Sequence, residues 1–299
     1  MPVFCYSDLA NCSPRVRLRE VFFMKWPLGW RQHWVGDGEL RPLLLPLLVA
    51  MILSALLVVE FVTAWPHGHI DQIRALTANI PLSVWQVLST FGDARLPLAI
   101  ALLLSLRERR LLVNCILALI IGWLVTRVLK TGFDVPRPGL FLPHLDPMLT
   151  GQQVSGRNSF PSSHAMVIFS VVSVLAFYTA KKWAVGLFGF AALVALSRVG
   201  IGAHWPADVL AGSLVGVVLA CGAVMAIQLG GYAPSRRVEL PLMLVVATIV
   251  ATAPWVDSGY PHTFGLRLAA TVLAFVAIGL RLYRHDGFMD KKVVKNVDK

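Results

Sequence analysis

The stretch ADVLAGSLVGVVLACGAVMAIQL, residues 207–229, decides the fold class, because it is long and apolar enough to cross a lipid bilayer as one helix. Its single charged residue, Asp208, lies at its beginning. Similar stretches occur before and after it, and together they predict eight spans. The predicted spans cover residues 43–65, 87–106, 111–130, 162–179, 183–200, 207–229, 240–255 and 264–282.

Two of the eight predicted spans are weaker than the others. Residues 87–106 are interrupted by Gly92, Asp93 and Arg95, and residues 240–255 are short enough for a re-entrant segment. No cleavable signal is visible before the first span, which we expect to serve as an uncleaved anchor. The sequence therefore predicts an all-α, polytopic helical bundle in a membrane.

The composition agrees with a membrane protein, since 57% of the residues are hydrophobic and only 14% are charged. A soluble domain has about 45–50% apolar and about 25% charged residues, so an ordinary soluble domain and a disordered chain are excluded. The net charge of +11 comes from 27 basic residues, most of which flank the spans on one side. They lie before residue 42, at 107–110, at 181–182, at 236–237 and after residue 280.

This charge distribution predicts that both termini are cytoplasmic, because basic residues favour the cytoplasmic side of a membrane. The expected partner of the positive charge is anionic lipid, and nucleic acid is not expected. Residues 16–35 carry three tryptophans among basic residues and predict an interfacial segment, with a plain cytoplasmic tail as the alternative. The four cysteines have no zinc-ligand spacing and are interpreted as structural or incidental thiols.

Three short segments at the opposite, non-cytoplasmic ends of the spans carry polar residues that topology does not explain. In the first, Lys130 ends the third span and Arg137 follows between two prolines that stiffen the chain. In the second, Ser159-Phe160-Pro161-Ser162-Ser163-His164, we expect Pro161 at the first position of the fourth helix. The backbone N–H groups of Ser162 and Ser163 would then be unpaired and form an anion site.

The third segment, residues 197–208, contains Arg198, His204 and Asp208. Pro206 fits the first position of the sixth helix, so Asp208 lies in its first turn, within reach of His204. A carboxylate there can hold one ring N–H of His204 and leave the other nitrogen as a nucleophile.

Together the three segments suit a phosphate dianion, because they combine three cationic side chains with two helix N-termini. One histidine can attack phosphorus while the other protonates the leaving oxygen. This combination predicts phosphoryl transfer without a metal ion or another cofactor.

The motifs Lys-x6-Arg-Pro, Pro-Ser-x-His and Ser-Arg-x5-His-x3-Asp, in this order, resemble the three signatures of the type 2 phosphatidic acid phosphatase family. That family shares its site with vanadium haloperoxidases and bacterial non-specific acid phosphatases, and its membrane members have a six-helix core. The resemblance implies that phosphate is bound by Lys130, Arg137, Ser162, Ser163 and Arg198. It implies further that His204 forms a phosphohistidine, that Asp208 orients His204, and that His164 is the general acid.

The chain departs from the family pattern at one motif position and at its C-terminal end. Ser163 stands where the second motif often has glycine, which allows the closest backbone approach to phosphate. We expect little loss, because serine keeps the backbone N–H. The predicted divisions are a cytoplasmic or interfacial segment 1–41, a six-span phosphatase core 42–229, two additional C-terminal spans 230–283 and a cytoplasmic tail 284–299.

The function expected from these features is that of a lipid phosphatase in a bacterial inner membrane, with its site facing the periplasm. Its substrate would be a lipid diphosphate or phosphomonoester of the polyprenyl diphosphate, phosphatidylglycerophosphate or phosphatidate type. The motifs leave the exact lipid and the oligomeric state open.

Other functions are compatible with parts of the pattern. A phosphotransferase would use the same site and pass the phosphate to another lipid, such as lipid A. A transporter or flippase would place its charges inside the spans rather than at their ends. A scaffold with a decayed site is disfavoured because every motif position is filled. The long, proline-rich loop 131–161 predicts a lid over the site, with disorder as the alternative.

Overall fold

The computed structural model describes residues 41–64, 69–142, 158–232, 234–256 and 259–297. Its helices are numbered here in chain order. They are α1 (Leu44–Ala64), α2 (Ile70–Thr77), α3 (Leu82–Thr90), α4 (Arg95–Leu104), α5 (Arg109–Phe133), α6 (Ser163–Tyr178), α7 (Lys181–Gly200), α8 (Pro206–Leu229), α9 (Arg236–Ala251) and α10 (Phe264–Val297).

The prediction of an all-α bundle is confirmed, since these ranges contain helices and short 3-10 turns but no strand. Six helices are long and apolar enough to cross a membrane, namely α1, α5, α7, α8, α9 and α10. The pair α3 and α4 would make a seventh span if the two helices are taken together. The chain is therefore a multi-pass membrane protein.

The predicted second span is broken into α3 and α4, which meet at an angle of 52°. The break lies at the interruption seen in the sequence, and Asp93 explains how a new helix begins there. Its carboxylate accepts a hydrogen bond from the backbone N–H of Arg95 at 2.9 Å. It also pairs with the Arg95 guanidinium at 3.0 Å, which further fixes the start of α4.

Helix α6 lies at the centre of the bundle. It has 16 residues, fewer than a spanning helix needs, and every residue from Ala165 to Tyr178 is buried. A helix that is apolar on all sides can be stable there because α5, α7 and α8 cover it. The closest approach is made by α8, since a Cβ atom added at Gly212 or Gly216 would collide with backbone atoms of α6 or its cap.

The two C-terminal helices, α9 and α10, pack against each other and against α4. At one end they are joined to the core by Glu239, which is buried and forms ion pairs with two arginines. The Arg109 Nε lies 3.1 Å from Glu239 Oε2, and the Arg281 guanidinium contacts the same oxygen. A carboxylate shared between two guanidinium groups has the compensation that a buried charge requires.

Several predictions fall outside the described residues. These are the interfacial segment with its tryptophans, Cys5, Cys12, and residues 143–157 of the predicted lid. The division of the chain into four parts stays a prediction.

Candidate active site

The predicted site residues lie at one end of the bundle. Lys130 is in the last turn of α5, His164 is in the first turn of α6, Arg198 is in the last turn of α7, and Asp208 is in the first turn of α8. Hydrogen bonds link these helix ends and the segments beside them. The structure therefore assembles side chains that are 78 positions apart in the sequence.

The carboxylate of Asp208 organises the centre of this site. Helix α8 begins with Pro206 at its first position, as predicted, and Asp208 lies in the first turn. Oδ2 of Asp208 lies 3.2 Å from Nδ1 of His204 and accepts a hydrogen bond from the backbone N–H of Trp205 at 2.9 Å. The hydroxyl of Ser159 donates to the same oxygen. The orientation of the carboxylate is thus fixed by three donors.

His204 is held with Nδ1 towards Asp208, which leaves Nε2 for a substrate. Its side chain is buried, and burial lowers the pKa of His204 well below the ordinary value of 6.5. The positive charges of Arg137, Arg198 and Lys130 lower this pKa further, and His164 adds to the effect. The imidazole is therefore neutral near pH 7, and a neutral ring is the form that can act as a nucleophile.

Arg198 is only 1% exposed, so each N–H of its guanidinium needs a partner inside the protein or on a ligand. One terminal nitrogen donates to the hydroxyl of Ser89 on α3, and Tyr260 is also hydrogen-bonded to the guanidinium. Nε has no partner among the described residues. An oxygen of a bound phosphate would satisfy this N–H.

The backbone of Arg198 shapes the turn that carries His204. Its carbonyl accepts hydrogen bonds from the N–H groups of Ala203 at 3.0 Å and of His204 at 3.2 Å. The connection between α7 and α8 is closed by these bonds. Arg198 and His204 are consequently parts of one short, hydrogen-bonded turn.

Two further cations lie against the same turn and the segment before α6. Nζ of Lys130 donates to the carbonyls of Asn158 at 2.8 Å and Ser159 at 3.3 Å. The guanidinium of Arg137 donates to the carbonyl of Ala203 at 3.3 Å. Both side chains are partly exposed, so they are accessible to an anion while their positions are set by backbone oxygens.

The N-terminus of α6 differs from the prediction in one respect. The helix begins at Ser163 rather than Pro161, because Ser162 is the N-cap, and its hydroxyl accepts a hydrogen bond from the N–H of Ala165 at 3.5 Å. The backbone N–H of Ser162 donates to the carbonyl of Asp208 at 2.9 Å, so it is not unpaired as expected. Within the described part of the chain, the Ser163 N–H has no partner, and it remains a candidate phosphate ligand.

His164 lies beside Gly92, in the break between α3 and α4. A Cβ atom added at Gly92 would lie 2.7 Å from Cβ and 2.8 Å from Cδ2 of His164. The missing side chain therefore provides the space that the imidazole occupies. The interruption that weakens the second predicted span thus contributes directly to the site.

Four contributors to the site were not assigned a role from the sequence, namely Ser159, Ser89, Gly92 and Tyr260. Ser159 lies two residues before Pro161, the first residue of the second motif, and this closeness was an available signal. Ser89 and Tyr260 lie on other helices or loops, far along the chain from Arg198, and no spacing rule points to them.

No group of three His, Cys, Asp or Glu residues with the geometry of a metal site occurs in residues 41–64, 69–142, 158–232, 234–256 and 259–297. The expectation of a site without metal stays a prediction.

The comparison with known proteins agrees with the three motifs. The family model of the PAP2 superfamily matches residues 111–230, a range that contains all eight predicted site residues. This match to the PAP2 superfamily over part of the chain agrees with the resemblance that the motifs indicated. The match supports the predicted class of enzyme, a phosphatase.

Three curated proteins are similar to part of the chain. An undecaprenyl-diphosphatase of Sulfolobus acidocaldarius is 29% identical over 146 residues, which cover 48% of this chain and 67% of that protein. The putative undecaprenyl-diphosphatase YbjG of Escherichia coli is 30% identical over 140 residues, with coverages of 44% and 65%. The bacitracin transport permease protein BcrC of Bacillus licheniformis is 27% identical over 115 residues, with coverages of 38% and 54%. The chain thus spans between about half and two thirds of these relatives' lengths.

Among solved structures, the chain matches LpxE of Aquifex aeolicus with a TM-score of 0.46 and 24% identity. The similarity covers 52% of this chain and 93% of LpxE.

Proposed function

We propose that this protein is an integral-membrane phosphatase that hydrolyses a lipid diphosphate, or a lipid phosphomonoester, through a phosphohistidine at His204. The observation that carries the proposal is the pairing of His204 with Asp208 at 3.2 Å beside three cationic side chains. The pair supplies an oriented, neutral imidazole, and the cations supply a place for the phosphate.

In the first step of the proposed reaction, Nε2 of His204 attacks phosphorus, and the bond to the leaving oxygen breaks. The electron pair of that bond stays on the oxygen, which takes a proton from His164. For a lipid diphosphate, the group released in this step is the lipid monophosphate. In the second step water attacks the phosphohistidine, loses a proton to His164 and releases inorganic phosphate from His204.

The positive side chains would act mainly in the transition state, where negative charge accumulates on the equatorial oxygens of the transferring phosphoryl group. Arg198 would contribute its unpaired Nε–H, and Arg137 and Lys130 would contribute charge from the partly exposed side of the site. The N-terminus of α6 would add the N–H of Ser163. Asp208 would stabilise the charge that His204 gains when it bonds to phosphorus.

A polyprenyl diphosphate is the substrate class that the comparisons favour, since two of the relatives are named as undecaprenyl-diphosphatases. The apolar exterior of the bundle is compatible with a substrate whose tail stays in the bilayer. Phosphatidylglycerophosphate and phosphatidate belong to the same chemical class of lipid phosphates and are the substrates to compare with it.

We place the site on the non-cytoplasmic face, which is the periplasm if the host is a Gram-negative bacterium. Arg109 and Arg110 begin α5, whereas the site residue Lys130 lies near its end, and Lys181 and Lys182 begin α7, whereas Arg198 lies near its end. Basic residues favour the cytoplasmic side, so the site would be on the other side, with cytoplasmic termini and an inner-membrane location.

The decisive experiment is phosphate release by the purified, full-length protein in detergent containing EDTA. The substrates are undecaprenyl diphosphate, phosphatidylglycerophosphate and phosphatidate, and we expect release to be fastest from the diphosphate. His204→Ala should reduce kcat at least about a thousandfold, because the nucleophile is removed. Orthovanadate should inhibit the wild-type protein as a mimic of pentacoordinate phosphorus.

His69→Ala is the matched control, because His69 also bonds a carboxylate, that of Glu60 at 2.8 Å, but on the segment before α2. It should retain wild-type activity. A diphosphate labelled at its terminal phosphorus should leave acid-labile label on the wild-type protein and none on His204→Ala. The hydrolase proposal would be wrong if a folded wild-type protein released no phosphate from any of the three lipids. Transfer of label to an added second lipid would instead indicate a phosphotransferase.

A further inference from the structure

The connection between α9 and α10 reaches the active-site end of the bundle, although it lies outside the six-helix core that the family pattern predicts. It contains Tyr260, which is 5% exposed and packs in one cluster with Trp85, Ile201 and Ala203. Ile201 and Ala203 belong to the turn between Arg198 and His204. The C-terminal helix pair therefore contacts the turn that carries the reacting histidine.

A second contact fixes the same connection to the core. His262 is hydrogen-bonded through Nε2 to the side-chain oxygen of Gln86 on α3. Gln86 and Trp85 are neighbours on the helix that also presents Ser89 to Arg198. The position of Tyr260 is consequently set by packing on one side and by a partly buried polar contact close to it.

In the hydrogen bond between Tyr260 and Arg198, the chemistry of the guanidinium decides which group donates and which accepts. A guanidinium carries five N–H donors and no acceptor, so the hydroxyl oxygen of Tyr260 must accept the bond. Ser89 accepts from the same guanidinium. Two acceptors from different segments, α3 and the connection between α9 and α10, can hold the plane of a guanidinium, and Nε of Arg198 then keeps an N–H without a partner among the described residues.

We propose that Tyr260 is a positioning residue of the phosphate site, which acts through Arg198, and that the C-terminal helix pair thereby forms part of the active site. This inference rests on the proposed function. Tyr260 would orient Arg198 so that its Nε–H points at the phosphate. The core motifs alone would then define the reacting groups, while the C-terminal pair sets the affinity for the transferring phosphoryl group.

The test is Tyr260→Phe, which keeps the buried ring and removes only the hydroxyl. We expect the binding of inorganic phosphate and the inhibition by orthovanadate to weaken about tenfold, the amount expected when one hydrogen bond to a charged group is lost. The value of kcat/KM should fall by a similar factor, and the thermal unfolding midpoint in detergent should change little. Tyr232→Phe is the matched control, because Tyr232 is an exposed tyrosine between α8 and α9, and it should behave as wild type.

A double-mutant cycle distinguishes positioning from a general structural role. If Tyr260 acts through Arg198, Tyr260→Phe should have no further effect on phosphate binding or kcat/KM in an Arg198→Lys background. An equal loss in both backgrounds would overturn the inference, as would a Tyr260→Phe protein with wild-type phosphate binding and activity.

Phosphate binding, measured by calorimetry, separates this inference from the proposed function. A wild-type protein that binds phosphate but releases none from lipids would contradict the proposed hydrolysis, while the effect of Tyr260→Phe on binding would still decide the role of Tyr260. A folded wild-type protein that neither binds phosphate nor releases it would overturn both.

Discussion

Ser159 hydrogen-bonds to Asp208 at Oδ2, the carboxylate oxygen that also faces His204. The two residues come from different parts of the chain, since Ser159 precedes α6 and Asp208 is in the first turn of α8. Oδ1 of Asp208 has no partner among the described residues, so the contacts that orient the carboxylate converge on one oxygen. The orientation of His204 is therefore coupled to the segment that leads into α6.

This coupling predicts that Ser159→Ala lowers kcat about tenfold and changes KM much less. The Trp205 N–H still holds the carboxylate after the substitution, but one bond to a charged group is lost, and the imidazole is less well oriented. Steady-state kinetics with the best lipid substrate provide the measurement. Ser173→Ala is the control, because Ser173 is a buried serine of α6 whose hydroxyl has no described partner. Equal activities of the two variants would contradict the prediction.

The lowered pKa of His204 predicts the acidic limb of the pH profile. His204 must be neutral to attack phosphorus, and burial together with Arg137, Arg198 and Lys130 favours the neutral ring. Activity should therefore persist as the pH falls through 6.5 and decline only at lower pH. The profile of kcat/KM is the appropriate measurement, because it reports the groups of the free enzyme.

Arg137→Gln should move this acidic limb to higher pH. The substitution removes a positive charge that lowers the pKa of His204. The pKa of His204 should therefore rise, and the ring should become protonated at a higher pH than in the wild type. Absolute activity will also fall, because Arg137 is a proposed phosphate ligand, but the position of the limb is independent of that loss. Arg127→Gln removes an exposed charge of α5 and serves as the control. A limb that stays in place in Arg137→Gln would show that the charge does not act on His204.

The contact between Gly92 and His164 predicts a second substitution with a large effect on activity. In Gly92→Ala the added methyl group would lie within 2.8 Å of the imidazole, so His164 must shift. We expect kcat to fall about ten- to a hundredfold, since small displacements of a catalytic group have effects of this size. Gly186→Ala, where an added Cβ meets nothing within 4 Å, should retain full activity. If Gly92→Ala has wild-type kinetics, the missing side chain at Gly92 is not needed to accommodate the His164 imidazole, and the prediction is wrong.

The close packing of α8 on the cap of α6 predicts an effect on stability. In Gly212→Ala the new Cβ would collide with the carbonyl of Ser162, and we expect a loss of about 1–3 kcal/mol in the free energy of unfolding. Gly222→Ala on the same helix meets no atom within 4 Å and should stabilise the protein slightly. Unfolding in detergent, compared between the two variants, tests this difference. If Gly212→Ala is as stable as Gly222→Ala, α8 can move away from the cap of α6 without a loss in the free energy of unfolding, and the prediction is wrong.

Features that depend on local spacing were predictable from the sequence. His204 and Asp208 are four residues apart around a helix start, so their contact follows from helix geometry once Pro206 is placed at the first position. Six of the eight predicted spans were predictable for a similar reason, because each needs only a sufficiently long apolar stretch. The second predicted span is instead a bent pair of helices, and the fourth is α6, which is shorter than a spanning helix. The motifs place Lys130 and Arg198 at span ends, and alternation of the spans brings those ends to one side.

Features that depend on contacts between distant segments were not predictable. Ser89 and Tyr260 contact Arg198 only because α3 and the connection before α10 pack against α7, and a single sequence contains no pattern for this packing. Gly92 was recognised as an interruption of a span, but its neighbour His164 was not. The start of α6 was misplaced by two residues because serine is the better N-cap, which outweighs the preference of proline for the first turn.

The short length of α6 has a consequence for the depth of the candidate active site in the membrane. At 1.5 Å per residue, 16 residues extend about 24 Å, whereas the hydrocarbon core of a bilayer is about 30 Å thick. Lys181 and Lys182 follow the far end of α6 closely and mark the water boundary there. On the topology proposed above, the end that carries His164 would be recessed by several ångströms below the opposite boundary. A lipid phosphate would then have to leave the headgroup plane and shed hydration to reach it, so desolvation would contribute to the choice of substrate.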